Sequence, residues 1–401
     1  MVKLHNIHNY FIVALLFTIT INHSVSYAIT FFILIFWIIG GGFKDKFRVI
    51  FSDKLSMTFL ALFLVHLVGL FWTESFEEGL KTLSKQKVYL FAPLLISFLD
   101  RRFAKHGLSA FLAAMFISEI YSLYLYLNDD IHLFGSLPSP FMHHMHYSLI
   151  LAFTFGYLVS EIDFKRLAQG LNLFYFSFAL LTVVVLFINK GRVGQLALLV
   201  VLFILAIGKF RLSFIRSTVA VSLISVVLFF TAYNFSEQFK SRFDKATYEF
   251  SEIVGTDKRD SIACRFEMWD YATKLGFNSP ILGVGTGDSN LEMSQFLGVN
   301  EYKKLFSDCG LGMRYLFNPH NNFILYFMLF GTLGLILLIL VFIYQFKIAH
   351  NQKSLPMTML LSVTIIGMMT SSPMSVHVKY MFFYAFVLTM LYLDSKSKDT
   401  N

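Results

Sequence analysis

The chain has 401 residues, 56% of them hydrophobic and 14% charged, and a formal net charge of +8. Soluble domains carry about 25% charged residues, so a water-soluble globular protein is excluded and a bilayer is the matching solvent. Apolar runs of about 17–25 residues, rather than ~10-residue alternating segments, select helices over a closed barrel, the other structure that satisfies every backbone group in lipid.

In chain order the predicted spans are 10–22, 25–42, 55–72, 83–99, 107–127, 143–160, 172–188, 193–208, 214–233, 321–346, 357–372 and 377–393. The fold expected is an all-α integral membrane protein of about 12 transmembrane helices. The first span has a second reading as a cleaved signal peptide, with Lys3 before a short apolar core and "SYA" at 26–28 after it. Another apolar span follows at once, which favours a retained helix.

Basic residues set the orientation. With the N-terminus inside, the inner segments carry Lys44, Lys46, Arg48 and Lys54, then Arg101, Arg102 and Lys105, then Lys165, Arg166, Lys209, Arg211 and Arg216. Lys3, Lys347, Lys353, Lys396 and Lys398 add to them, whereas the short outer loops hold Lys81, Lys85, Lys87, Lys190, Arg192 and Lys379. That bias places both termini in the cytoplasm. The positive charge is thus a topology signal, and no nucleic-acid partner is expected.

One connection is out of scale. Residues 234–320 separate spans nine and ten on the outer face and divide the chain into helices 1–9 (1–233), a loop domain (234–320) and helices 10–12 with a cytoplasmic tail (321–401). Within the loop, 236–254 reads as an amphipathic helix, 260–276 as a helix, 279–288 as a turn region and 289–298 as a short helix. Cys264 and Cys309 both lie there, and either a disulfide or two buried thiols fits the sequence.

Several residues could carry chemistry. "NPHNNFILYFMLFGTLG" (318–334) puts His320 at the membrane boundary, and Gly331, about three turns on, falls on nearly the same helix face, with Gly334 one turn further. Small residues there would let another helix approach closely and fix His320; a plain interfacial cap is the alternative. "NKGRVGQLALLV" places Lys190 and Arg192 at the outer end of span eight, against the topological bias, although an arginine there can also snorkel. Arg265 and Trp269 are i,i+4 neighbours on the second loop helix.

"GVGTGD" (283–288) has neither a strand before it nor a Lys-Ser after it, so a tight turn guiding the loop back to the membrane is favoured over a phosphate-binding loop. His143, His144 and His146 are expected to line an outer cavity rather than to bind a metal. Glu119 and His66, isolated ionisable residues within spans, are read as interhelical hydrogen-bonding groups.

His320-Asn321, then Gly331, then Gly334 resembles the signature of the O-antigen ligase family, which shares a superfamily with polysaccharide polymerases. The twelve spans, the large loop before the signature, the arginine after "KG" and the Arg265…Trp269…"PILGVG" run are similar as well. The resemblance implies a GT-C-like membrane fold in the bacterial inner membrane with a periplasmic site. It implies transfer of a glycan from undecaprenyl diphosphate to a hydroxyl of lipid A–core, without ATP, metal or other cofactor, in lipopolysaccharide biosynthesis.

Under that resemblance Arg192 and Arg265 would bind the leaving diphosphate and His320 would take the acceptor's proton. Lys190, Trp269, Asn321 and, less directly, Arg314 would contact substrate. Rival readings are an O-antigen or exopolysaccharide polymerase of the same superfamily, a glycan-to-protein transferase and, from another class, a transporter or flippase for a lipid-linked sugar. The near absence of mid-membrane charge and of an internal repeat argues against transport.

Overall fold

The computed structural model describes residues 4–128, 139–252, 261–309 and 317–398. Among them are eighteen α-helices and no strand. Helix α1 (Leu4–Thr18) pairs with α2 (His23–Ile39). The chain then turns by 120° into α3 (Phe43–Ser52) through Gly41 and Gly42, whose φ of 57° and 65° suits glycine. Asp53 caps α4 (Lys54–Val68) by accepting from Ser56 N at 3.0 Å, and a 3-10 turn extends α4 to Trp72.

The chain continues through α5 (Phe76–Gln86), α6 (Val88–Phe98), α7 (Arg102–Leu127), α8 (His144–Glu161), α9 (Gly170–Ile188), α10 (Arg192–Gly208) and α11 (Phe214–Phe235). The long loop contains α12 (Glu237–Glu252), α13 (Ser261–Asn278), α14 (Ser289–Leu297) and α15 (Val299–Asp308). Finally come α16 (Asn322–Asn351), α17 (Leu355–Thr370) and α18 (Val378–Lys398).

Each predicted span contains a helix, with two local differences. Span two ends at Ile39, where the glycine turn redirects the chain. The stretch 83–99 is divided at Lys87, because α5 is polar and amphipathic with Glu77 and Glu78 in its first turn, whereas the apolar α6 is short and carries Pro93. By length and composition, five helices can cross a bilayer: α4 with its extension, α7, α9, α11 and α16, or six when α2 and α3 count as one bent span.

Packing ranks these helices. From Tyr380 to Leu393, α18 is at most 4% exposed, packed against α6, α7 and α17. A helix apolar on all sides belongs in the centre. By contrast α11 buries only Ser217 and Ala232, so its apolar surface faces outward, as lipid contact requires. Thr182 Oγ1 donates to Glu119 Oε2 at 2.9 Å, joining α9 to α7, which is the interhelical bond expected of Glu119.

The feature that orders the loop is a break in α16. At Gly331 the backbone takes φ 61° and ψ −160°, a region essentially confined to glycine. Thr332 N and Leu333 N turn away from their own helix and donate to Pro280 O (2.8 Å) and Ile281 O (3.4 Å). The vacated carbonyls of Met328 and Leu329 accept from Val284 N (3.0 Å) and Gly285 N (2.8 Å). A break inside a membrane helix is tolerated when the freed backbone groups find other partners, and here residues 280–285 supply them.

The close approach expected at the two glycines is made at Gly331 alone, and by a turn segment of the loop, not by a helix. A Cβ on Gly331 would stand 2.3 Å from Ile281 C, whereas one on Gly334 would meet the side chain of Phe330 in its own helix at 2.2 Å. The "GVGTGD" run is the turn that continues this contact. Thr286 donates to Gly69 O and His66 O, and the Asp288 carboxylate accepts from Glu74 N (2.8 Å) and Ser75 N (2.7 Å) ahead of α5. Its backbone donors at 284–286 are already engaged, which removes the phosphate-loop alternative.

Cys264 and Cys309 form a disulfide, with Cα atoms 5.8 Å apart, tying α13 to the end of α15 across 45 residues. On the chain-entropy account such a closure is worth about 4 kcal/mol. The double replacement of Cys264 and Cys309 by serine is expected to lower the midpoint of thermal unfolding and speed proteolysis within the loop. Unchanged midpoint and cleavage rate would show that the bond contributes nothing.

Candidate functional site

The site is assembled around the turn that enters α16. Asn318 Oδ1 accepts from His320 N (3.0 Å) and from Ser372 Oγ (2.6 Å). His320 itself has φ 54°, a left-handed conformation that histidine adopts more readily than most residues. Asn321 caps α16, its Oδ1 accepting from Phe323 N (2.9 Å) and Ile324 N (3.2 Å) while its Nδ2 donates to Met369 O (3.2 Å). Buried Asn322 donates to Ser375 Oγ at 2.7 Å and accepts from Met374 N at 3.3 Å. Three asparagines thus pin one histidine to the α17–α18 connection.

The loop helix α13 supplies the next contacts. It packs against α16, and Trp269 Nε1 donates to Pro319 O at 2.6 Å, immediately before His320. One turn earlier, the half-buried Arg265 reaches Met145 Sδ at 3.9 Å, in the first turn of α8. The same turn receives α10. A Cβ on Gly191 or Gly194 would lie within 2.4 Å of Ser148, and Gly194 N donates to Ser148 Oγ at 3.1 Å. These glycines flank the half-buried Arg192, so α10 begins in contact with the turn that Arg265 touches.

Electrostatics connects the pieces. Burial first, then the Arg265 guanidinium, then His143, push His320 down from 6.5 to about 4. The imidazole is therefore neutral at ordinary pH, and its Nδ1 is buried without a hydrogen-bond partner among the described residues. A neutral, unpartnered ring nitrogen beside a guanidinium can accept a proton from a substrate hydroxyl. His320 lines a cavity of about 570 Å³ together with His143, His377, Lys85, His66 and Thr82.

Of the residues singled out in the sequence, the structure places Arg265, Trp269, Asn321 and His320 together, with Arg192 at the adjoining helix start. Lys190 is half-buried in the α9–α10 turn, next to Asn189, whose amide donates to Ser139 Oγ and accepts from Gly191 N. Arg314 lies outside the described residues. His143 does line the cavity, as expected.

His377, Lys85 and the pinning serines were not singled out. The polar run Ser371-Ser372-Pro373-Met374-Ser375 between two apolar spans was the available signal for the serines. Nothing local marks Lys85, because its neighbours in the cavity come from distant segments.

No curated protein matches the chain. The model of the family described as O-antigen ligase matches residues 177–339, which run from α9 into α16 and include Arg192, Arg265, Trp269, His320 and Gly331. With its long apolar helices the chain is a multi-pass membrane protein, and from α9 into α16 it is similar to the O-antigen ligase family.

Proposed function

We propose that the protein transfers a glycan from undecaprenyl diphosphate to a hydroxyl of lipid A–core at the periplasmic face of the bacterial inner membrane. The family carries ligase or polymerase-type glycosyltransferases, and the ligase is the reading argued here. In this reading about twelve helices cross the bilayer in a GT-C-like arrangement, with both termini cytoplasmic. Residues 1–233 and 321–401 form the membrane part, and 234–320 the periplasmic domain. The observation that carries it is His320, neutral and unpartnered at Nδ1, held beside Arg265 where α16 begins.

The acceptor oxygen attacks the anomeric carbon and its proton passes to His320, as the bond from that carbon to the diphosphate oxygen breaks. Undecaprenyl diphosphate leaves with the electron pair, and one displacement inverts the configuration. Arg192 and Arg265 stabilise the charge growing on the diphosphate, since guanidinium binds phosphate oxygens in bidentate fashion and stays charged at any working pH. The isoprenoid remains in lipid, so its diphosphate reaches the boundary where these residues wait. Trp269 and Asn321 serve chiefly by fixing His320, Lys190 adds a cation at the start of α10, and Arg314 is a further phosphate ligand.

The test is transfer by the full chain purified in detergent, with EDTA present. Wild type is compared with Arg192→Ala, Arg265→Ala and His320→Ala. Product in wild type, lost in all three folded variants, supports the assignment. Joining of two carrier-linked glycans with no transfer to core identifies a polymerase instead, and full activity in the variants removes the site.

Trp269→Phe keeps an aromatic ring but deletes the pyrrole part of the indole and with it the N–H that Pro319 O accepts. An unpaired carbonyl costs about 1–3 kcal/mol, and the turn holding His320 loosens. The expected result is kcat lower by about tenfold with both KM values little changed. A rise in KM at constant kcat would mark Trp269 as a substrate contact.

A further inference from the structure

The cavity beside His320 contains more polar groups than the transfer chemistry uses. Three buried polar atoms without partners among the described residues belong to side chains that line it: His66 Nε2, Thr82 Oγ1 and His320 Nδ1. They come from α4, α5 and the α16 entry, so no single local turn explains their convergence. His66 is completely buried, and its other ring nitrogen, Nδ1, is bound to Leu62 O at 2.9 Å. Buried polar groups almost always have partners, and a cluster of exceptions in one cavity points to a missing hydrogen-bonding ligand. Hydroxyl groups suit it, because each both donates and accepts.

The charge around the cavity has one sign. Among the described residues Lys85 is the one lysine or arginine that lines it, beside the imidazoles of His143 and His377, and no carboxylate does. Lys85 makes no ion pair among the described residues. Glu78 on its own helix is held by Lys81 at 2.7 Å, and the Asp288 carboxylate faces the backbone ahead of α5. An anionic group on the ligand would therefore meet a cation that Glu78 influences but does not pair with. The volume, about 570 Å³, lies within the usual range for small-molecule sites, about 300–1,000 Å³.

Neither Arg192 nor Arg265 lines this cavity. The residues assigned to the donor diphosphate thus lie by the first turn of α8 and the start of α10, while the cavity opens among α4, α5, α16 and the α17–α18 connection and meets α8 at His143, with His320 between them. We propose that the cavity is the acceptor subsite and takes a sugar bearing a phosphate or carboxylate, with Lys85 contacting the anion and Thr82 and His66 the hydroxyls. The inference rests on the transferase reading above and adds the chemical class of the acceptor unit.

The experiment is two-substrate kinetics of the full chain in detergent, with wild type, Lys85→Gln, Lys85→Arg and Thr82→Val, each checked for an unchanged melting midpoint. Lys85→Gln is expected to raise the acceptor KM about tenfold while the donor KM stays within about twofold. Lys85→Arg should restore most of the loss. Thr82→Val, whose shape is conserved, gives an independent reading if Lys85→Gln does not fold.

Glucose 6-phosphate is expected to compete with the acceptor about tenfold better than glucose or inorganic phosphate, and not with the donor. A rise in donor KM would assign the cavity to the carrier diphosphate and overturn the proposal. So would unchanged KM values in both variants, or inorganic phosphate competing as well as the sugar phosphate. If wild type transfers nothing, the transferase reading fails and the acceptor assignment with it. Thermal stabilisation by glucose 6-phosphate, present in wild type and lost in Lys85→Gln, then still decides the ligand chemistry separately.

Discussion

Gly331→Ala is expected to destabilise the protein by about 3 kcal/mol or more, seen as a lower midpoint of thermal unfolding in detergent. Two penalties coincide. The backbone at φ 61°, ψ −160° is in a region that costs other residues of order 1–3 kcal/mol. The new Cβ would also stand 2.3 Å from both C and O of Ile281, which are backbone atoms and cannot swing aside as the end of a side chain can. Relief requires residues 280–285 to withdraw, breaking the bonds that Pro280, Ile281, Val284 and Gly285 make to α16. Gly170→Ala, where a Cβ would meet nothing within 4 Å, serves as the control and should change stability by less than about 0.5 kcal/mol. If the two variants unfold alike, the break in α16 is not a structural requirement.

His320→Ala should lower the transfer rate by about 10²–10⁴-fold, the usual contribution of a positioned base, and the pH profile should show why. With the folded group lowered to about 4, the imidazole is a competent base at any pH above that value. The acid limb of kcat/KM, which reports the free enzyme, is therefore expected near pH 4 and not near 6.5. Arg265→Gln removes the second cause of the shift and leaves burial, the first. The limb in that variant should move upward, stopping short of 6.5, whereas Arg265→Lys should leave it in place.

Stability follows the same sign. Between about pH 6.5 and 4 the unfolded chain binds a proton that folded His320 refuses. The contribution of this group to stability is complete above that window and is lost as pH falls through it. A wild-type limb at 6.5, unmoved by Arg265→Gln, would show that His320 is not the titrating base beside Arg265.

These two predictions concern one mechanical unit. The broken α16 binds the loop at two places: α13 against its first turns through Trp269 and Pro319, and residues 280–285 at Gly331. Arg265 and His320 lie on its two components. Their relative position therefore depends on backbone hydrogen bonds as well as on side-chain packing. This is why a glycine eleven residues from the histidine is expected to matter to the site.

The sequence by itself determined what local composition can determine. Apolar runs gave the membrane class and the twelve helical segments, amphipathic and turn residues gave α12, α13 and α14 but not α15, and His320 with Gly331 and Gly334 gave the resemblance to the family. These signals are local because burial in lipid and helix capping act over a few turns. Only the tertiary structure decided the rest. Gly331 was legible as a place of close approach, but whether a helix or a loop would fill it depended on carbonyls of Met328 and Leu329 finding donors on Val284 and Gly285. Asn318, Asn321 and Asn322 read as a polar knot, and their role as pins emerged only with Ser372, Met369 and Ser375 alongside. The pairing of Cys264 with Cys309, open in the sequence, was settled by the fold bringing the residue after α15 within 5.8 Å of Cys264 on α13 at Cα. Lys85 gained meaning from His66, His377 and His320, which no window of sequence contains. Backbone polar groups must be satisfied wherever the chain leads them, and which partner satisfies each is a property of the fold.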